Sequence, residues 1–124
     1  MRVNVDVDAT VKAVALGRIG LGVSYLLAPG AALRLWPGAS DPLLRMMARS
    51  TGGRDIGLGL GVLFAQKHDS PVRGWLEAAM LADVADAVAI LIAFKHLPRV
   101  KAVLMLGAAL GTAAAGQRLA RAVG

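Results

Sequence analysis

Four apolar stretches, separated by short polar connections, dominate the pattern of hydrophobic and polar positions along the chain. They cover approximately residues 8–28, 53–66, 71–95 and 98–118. Three of them reach the roughly 20 residues that an α-helix needs to cross a bilayer, and the second is shorter. The pattern predicts an all-α fold: a single domain, residues 1–124, that forms an integral membrane four-helix bundle.

The connection between the first two apolar stretches contains a further helical segment. Asp41-Pro42 is typical of a helix start, since an aspartate caps the helix and proline fits its first turn. Residues 42–49 combine apolar and basic side chains at helical spacing, which predicts a short amphipathic interfacial helix between helices 1 and 2. Because Gly52-Gly53 follows and glycine is a weak helix former, we expect a break there. A continuous helix and a short span with local bilayer thinning are the alternatives.

Composition strengthens the membrane interpretation. Hydrophobic residues make up 56% of only 124 residues, and the mean hydropathy is +0.61. A soluble domain of this size keeps too much surface exposed to hide so many apolar side chains. We therefore expect a multi-pass protein of the cell inner (plasma) membrane, with membrane lipids as partners. Trp36 and Trp75 would mark its two faces.

The net charge of +6 suits lipid headgroups better than nucleic acid. The basic residues cluster mostly between the apolar stretches, and few aromatic side chains are present to stack on bases. No nucleic-acid partner is predicted. The chain has no cysteine, and His68 and His96 have no second ligand at metal spacing. We therefore predict neither a metal site nor a cofactor.

Small residues recur at every fourth position in two of the predicted helices. The rows are Gly53, Gly57 and Gly61 in helix 2, and Gly107 and Gly111 in helix 4. Such rows allow a second helix backbone to approach closely. Packing within the bundle is the favoured interpretation, and the alternative is a homodimer or docking into a larger complex.

Ionisable side chains at the predicted helix midpoints are the candidate catalytic residues. Arg18 lies at the middle of helix 1 and Asp83 at the middle of helix 3, with Asp86 one turn further on the same face. A charge at bilayer depth costs on the order of 3 kcal/mol and usually marks function. We expect Arg18 to pair with one of the two aspartates.

Four further residues are candidates for binding. Arg54 would project into the bundle and neutralise the second carboxylate, whereas Asp55 would suit the positive end of the helix 2 dipole. Tyr25 shares the Arg18 face of helix 1, and Trp75 lies on the aspartate face of helix 3.

Glu77 is treated separately from these candidates. It points away from the aspartate face and is expected near the membrane boundary, paired with Arg73 four residues earlier.

Several stretches resemble a family of small predicted membrane proteins common in actinobacteria. Three runs carry the resemblance: LGRIGLG at residues 16–22, ARSTGGRDIGLGLG at 48–61 and ADVAD at 82–86. Three single residues also fit it: Pro29, the Trp36 that follows, and Trp75. The resemblance implies a four-helix membrane architecture. It also draws attention to the charged residues Arg18, Arg54, Asp55, Asp83 and Asp86. The family has no settled function, so it implies no activity.

Three functions fit a buried arginine and aspartate site. The first is cofactor-independent acid–base catalysis on an apolar small molecule: epoxide opening, cyclisation or isomerisation of an isoprenoid or polyketide. Asp83 and Asp86 would be the acid and base, tuned by Arg18 and Arg54. The second is proton- or cation-coupled transport, or lipophilic ligand binding, by an oligomer. The third is an accessory subunit of a larger membrane complex. A purely stabilising salt-bridge network is the non-functional interpretation.

Overall fold

The computed structural model describes residues 2–32 and 41–123. Throughout these residues the chain is helical and has no strand, which confirms the all-α prediction. The elements are α1 (Arg2–Leu27), α2 (Pro29–Ala32), α3 (Pro42–Lys67), α4 (Arg73–Ala93), a 3₁₀ turn (Phe94–His96) and α5 (Arg99–Val123). The prediction for Trp36 lies outside the described residues.

α1 begins earlier than its apolar pattern. Its polar first turns are helical from Arg2, and the Thr10 hydroxyl donates to the Asp6 carbonyl oxygen within the helix at 2.8 Å. The helix ends at Leu27, two residues before Pro29, because proline disfavours helical backbone in the residue that precedes it. Pro29 then opens the one-turn helix α2.

α3 is one continuous helix of 26 residues. The Asp41 side chain caps it by accepting from the Leu43 backbone N–H at 2.9 Å, as its sequence predicts. The helix passes through Gly52-Gly53 without interruption, so the expected break is wrong. The proposed interfacial helix 42–49 and helix 2 are one element. Each glycine costs only about 1 kcal/mol in a helix, and the packing of Gly52 described below offsets that cost.

The turn after α3 uses an unusual residue. Asp69 has a φ of 52°, in the left-handed region, where aspartate is tolerated better than most residues. The Ser70 N–H donates to the Ala65 carbonyl oxygen at 2.8 Å, which closes the helix end in the manner of a Schellman motif. α4 then starts at Arg73 without a side-chain cap.

The chain forms two compact units, Met1–Ser70 and Pro71–Gly124. In the first, α1 and α3 are antiparallel, and the Gln66 side chain near the end of α3 donates to the Asp8 carbonyl oxygen at 3.1 Å. In the second, α4 and α5 are paired, with Gly116 against Met80. The single four-helix bundle stays a prediction beyond these two helix pairs.

Gly52, Gly22 and Gly59 bring α1 and α3 together, whereas of the predicted row only Gly61 is buried. A Cβ added at Gly52 would lie 2.5 Å from the Gly22 carbonyl oxygen, and a Cβ at Gly22 would lie 2.5 Å from that of Gly52. A Cβ at Gly59 would lie 2.8 Å from a backbone oxygen of α1. By contrast, a Cβ at Gly53 or Gly57 would meet nothing within 4 Å among the described residues. The expected intramolecular packing through those two glycines is therefore not seen.

In α5, the glycines of the predicted row lie on an open side of the helix. A Cβ at Gly107 or Gly111 would meet no described atom within 4 Å, whereas Gly116 lies beside α4. α5 contacts its partner through other small residues, and Ala113 and Ala120 are buried. The homodimer alternative for Gly61, Gly107 and the other row glycines stays a prediction.

Within the part of the chain that the structure describes, two helical segments are long and apolar enough to cross a membrane: Asp6–Leu27 and Arg99–Val123. Length and composition alone are weak evidence, because core helices of soluble proteins and signal sequences share them. Core helices are mostly buried, however, and only 17% of each apolar segment is buried inside this protein. α3 and α4 lack such a segment because their charged residues interrupt every stretch of sufficient length.

Candidate functional site

Arg18 and Asp55 form a buried ion pair between α1 and α3. Arg18 Nη1 lies 3.1 Å from Asp55 Oδ1, with 13% and 7% of the two side chains exposed. Both residues lie near the middle of a 26-residue helix. The charges are therefore held at the centre of the first unit rather than at its solvent ends.

Arg54 adds a second cation to the same carboxylate. Its Nη2 atom lies 3.3 Å from Asp55 Oδ1, and 33% of the side chain is exposed. Both guanidinium groups thus donate charge-assisted hydrogen bonds to one carboxylate oxygen. We call Arg18, Arg54 and Asp55 the ion cluster.

The position of Asp55 corrects a sequence-based prediction. Asp55 was expected at the N-terminus of a helix, where the helix dipole favours a negative charge. Because α3 begins at Pro42, Asp55 lies in its middle, where the dipole gives no such benefit. Arginine side chains stabilise it there. Counting from the Asp41-Pro42 start, rather than from the glycine pair, would have placed Asp55 correctly.

Glycines bracket the ion cluster on both helices. Gly52 and Gly59 lie three residues before and four residues after Asp55, so all three share one face of α3. Gly22 lies one turn after Arg18 on α1. These glycines allow the two backbones to touch, and this close approach places Asp55 within reach of Arg18. The packing role of Gly52 and Gly59 was not predicted from the sequence, because the predicted row of small residues runs through Gly53, one position away.

Tyr25 borders the same contact. A Cβ at Gly52 would lie 3.0 Å from the Tyr25 Cβ, so the tyrosine packs over that glycine, one turn from Asp55. Tyr25 thus lies beside the ion cluster. Its predicted binding role stays a prediction.

α4 carries the other two candidate carboxylates. Asp83 is buried, with 6% exposed, and lies on the buried side of α4 between Ala79 and Ala87. Asp86 is half-buried one turn further along. The two aspartates share a face, as their spacing predicts. Their expected pairing with Arg18, which belongs to the first unit, stays a prediction.

The remaining predicted residues of α4 lie at its exposed N-terminal end. The Arg73 Nε atom donates to Glu77 Oε1 at 2.7 Å, and both side chains are about half exposed. This confirms the predicted pairing four residues apart. Trp75 is exposed, a position compatible with a bilayer boundary. Its predicted binding role stays a prediction.

The donor chemistry of the described residues does not assemble a metal centre. Within the ranges 2–32 and 41–123, no group of three or more His, Cys, Asp or Glu side chains could hold a metal ion.

No family model, curated protein or solved structure matches this chain. The resemblance to the small actinobacterial membrane proteins consequently stays a prediction.

The two sets of charges differ in what they can do chemically. The ion cluster joins one carboxylate to two guanidinium groups that keep their charge at any physiological pH. Such a cluster fixes two helices relative to each other. Asp83 and Asp86 are two carboxyl groups one turn apart on the same face of α4. Two of the candidate carboxylates therefore lie outside the ion cluster.

Proposed function

We propose that this chain is a multi-pass protein of the inner membrane, with α1, α3, α4 and α5 as its four spans. The observation that supports this is the distribution of side chains, in which most buried hydrophobic residues are small and many large apolar residues are exposed. Among the residues whose burial the structure describes, eight of the twelve buried hydrophobic residues are alanines, and Asp55 and Asp83 are buried with them. Twenty large hydrophobic side chains in the same set are exposed. A soluble protein buries its large apolar residues, whereas a bilayer solvates them and favours small residues at helix contacts.

The charged helices fit this arrangement. α3 exposes Phe64, and α4 exposes Leu81, Val88 and Ile92, although both helices also carry the site residues. Ionisable groups within membrane spans turn away from lipid and toward protein. An apolar outer side and buried carboxylates on one helix are what such a span requires.

Within this bilayer protein, we propose acid–base chemistry on an apolar small molecule. Asp83 and Asp86 carry it: one carboxyl group donates a proton to the substrate, and the other accepts a proton from the substrate or from the water that attacks it. Epoxide opening, cyclisation or double-bond isomerisation of an isoprenoid or polyketide needs such a pair and no cofactor. A substrate of that class reaches the carboxylates from the lipid phase. The ion cluster positions α1 against α3.

The test is the set of small molecules that co-purify with the protein. Full-length wild type, Asp83→Asn, Asp86→Asn and the control Glu77→Gln are purified in the same detergent and extracted for mass spectrometry. Glu77→Gln removes a carboxylate from the same helix at its exposed end. We expect wild type and control to carry the same isoprenoid or polyketide product, and both asparagine variants to lose it or to carry its precursor. Identical extracts from all four proteins would contradict the proposal.

A role as a subunit of an oligomer or of a larger membrane complex is the second candidate. The exposed side of α5 favours it, because Leu104 and Leu110 are exposed beside the open glycines Gly107 and Gly111. Gly111→Leu should then lower the assembled mass measured by light scattering in nanodiscs. Gly116→Leu would instead disturb the α4–α5 contact. A monomer in both wild type and Gly111→Leu would contradict an assembly through this side.

A further inference from the structure

The first turns of α3 form an exposed surface that is both cationic and apolar. Arg45 and Arg49 are exposed there, and so are Leu43, Met46 and Met47. We call these five residues the basic end of α3. Neither the ion cluster nor the α4 carboxylates include any of them.

The side chains of the basic end lie on different sides of α3. Arg45 and Arg49 are four residues apart and share one side of α3, whereas Leu43 and Met47 share another, also four residues apart. Ala48 is buried and faces the protein. The exposed part of the helix thus carries guanidinium groups and apolar side chains at one end of the proposed span, where arginine side chains reach the lipid headgroups.

Both arginines lie beside the segment where α1 ends and α2 begins. The Arg49 Nε atom donates to the Leu26 carbonyl oxygen at 3.2 Å. Arg45 lies over Gly30, where an added Cβ would be 3.2 Å from its Nη2 atom. A guanidinium group has five N–H donors, and the Arg49 bond uses one of them. Leu27, next to this contact, is exposed and extends the apolar surface.

We infer that the basic end binds the headgroups of anionic phospholipids. The inference rests on the proposed membrane location. Arginine recognises phosphate through paired N–H donors, and the neighbouring leucine and methionines enter the boundary between headgroups and acyl chains. A free phosphate ion would use the arginines and leave the apolar side chains in water, so a lipid is the occupant that fits the whole surface.

Native mass spectrometry of the full-length protein in detergent tests this inference. Phosphatidylglycerol and phosphatidylcholine with identical acyl chains are added in equal amounts, and the ratio of the two bound lipids is measured. Arg45→Gln and Arg49→Gln are compared with Arg118→Gln, which removes an exposed arginine near the end of α5. Arg49→Lys keeps the charge but changes the contact with Leu26. Inorganic phosphate is added in a separate series.

We expect wild type to prefer phosphatidylglycerol and each glutamine variant at the basic end to lose about fivefold of that preference. Arg118→Gln should keep it, and Arg49→Lys should keep most of it. Equal binding of the two lipids by wild type, an equal loss in Arg118→Gln, or full displacement of the lipid by phosphate would each overturn the inference.

A separate measurement distinguishes this failure from failure of the membrane assignment. Wild type is reconstituted with vesicles of each lipid and extracted with alkaline carbonate. Protein that resists extraction from both vesicles but shows no lipid preference contradicts the headgroup site alone. Protein extracted from both contradicts the membrane location on which the site depends.

Discussion

Asp55 accepts hydrogen bonds from Arg18 and Arg54 at once, inside a contact where the helix backbones touch. A buried ion pair adds little net stability compared with an apolar pair of the same shape, because both charges lose their hydration. Removing one member is costly, since the charge that it neutralised stays behind. At the residue scale, the first unit therefore depends on Asp55 more than on its exposed charges.

Asp55→Asn should destabilise the protein by roughly 3 kcal/mol, because it removes the charge that faces two arginines. Thermal unfolding in detergent, followed by circular dichroism, measures the change. Glu77→Gln breaks an exposed pair of the same chemical type and should change stability by less than about 1 kcal/mol. Equal effects of the two substitutions would show that the ion cluster is not a buried unit.

The adjacent glycines Gly52 and Gly53 provide a second contrast at this scale. Gly52→Ala places a methyl group against the Gly22 carbonyl oxygen, and the resulting overpacking should cost roughly 1–3 kcal/mol. Gly53→Ala meets no described atom and should stabilise the helix by up to about 1 kcal/mol. The same unfolding measurement compares them. A destabilising Gly53→Ala together with a neutral Gly52→Ala would show that Gly53, and not Gly52, faces α1.

At the scale of elements, the continuity of α3 decides where its charges lie. A helix that starts at Pro42 puts Asp55 fourteenth among 26 residues, and it puts Arg45 and Arg49 at one end and the ion cluster at the centre. A break at Gly52-Gly53 would instead have made Asp55 a terminal residue. The same helix thus provides both the basic end and the ion cluster.

Spin labels at positions 47 and 64, both exposed on α3, test this continuity. Seventeen residues of uninterrupted helix separate their Cα atoms by about 26 Å. Pulsed electron paramagnetic resonance should give one narrow distance distribution near that value, after allowance for the label linkers. Labels at positions 81 and 92, both exposed in a glycine-free stretch of α4, serve as the reference. A shorter, broad distribution for the α3 pair alone would indicate a broken helix.

At the scale of the whole molecule, the distribution of large apolar side chains supports the proposed membrane location. Among the described residues, large apolar side chains are exposed on all four long helices, whereas most of the buried hydrophobic residues are alanines and two aspartates are buried with them. In a bilayer, lipid removes the cost of exposing leucine and isoleucine, and small residues allow helices to approach without a hydrophobic driving force. The proposed location rests on this distribution more than on the hydropathy of any one helix.

Single cysteines introduced into this cysteine-free chain test the location directly. In intact, uniformly oriented vesicles, a membrane-impermeant maleimide should not label Leu21→Cys or Leu110→Cys, because lipid covers these exposed positions. His68→Cys and His96→Cys flank α4, so exactly one of them should react until detergent is added. Rapid labelling at position 21 would contradict a bilayer span by α1, and labelling of both histidine positions would contradict crossing by α4.

Local chemistry was enough to predict several features. Apolar periodicity predicted an all-helical chain, the Asp41 cap followed from aspartate before proline, and the Arg73–Glu77 pair followed from spacing along one helix. Each depends on residues within a few positions of one another, so neighbouring residues contain the necessary information.

Tertiary structure decided which distant residues meet. The sequence placed Gly52 and Gly53 side by side with equal propensity, but only Gly52 faces α1, because helix contact depends on rotation about the helix axis. It also placed Arg54 and Asp55 together, yet the partner of Asp55 across the contact is Arg18, 37 positions away. The hydrophobic pattern predicted that charges would be buried in the bundle. The close approach of two backbones determined that Asp55 is the carboxylate that meets Arg18 in the first unit.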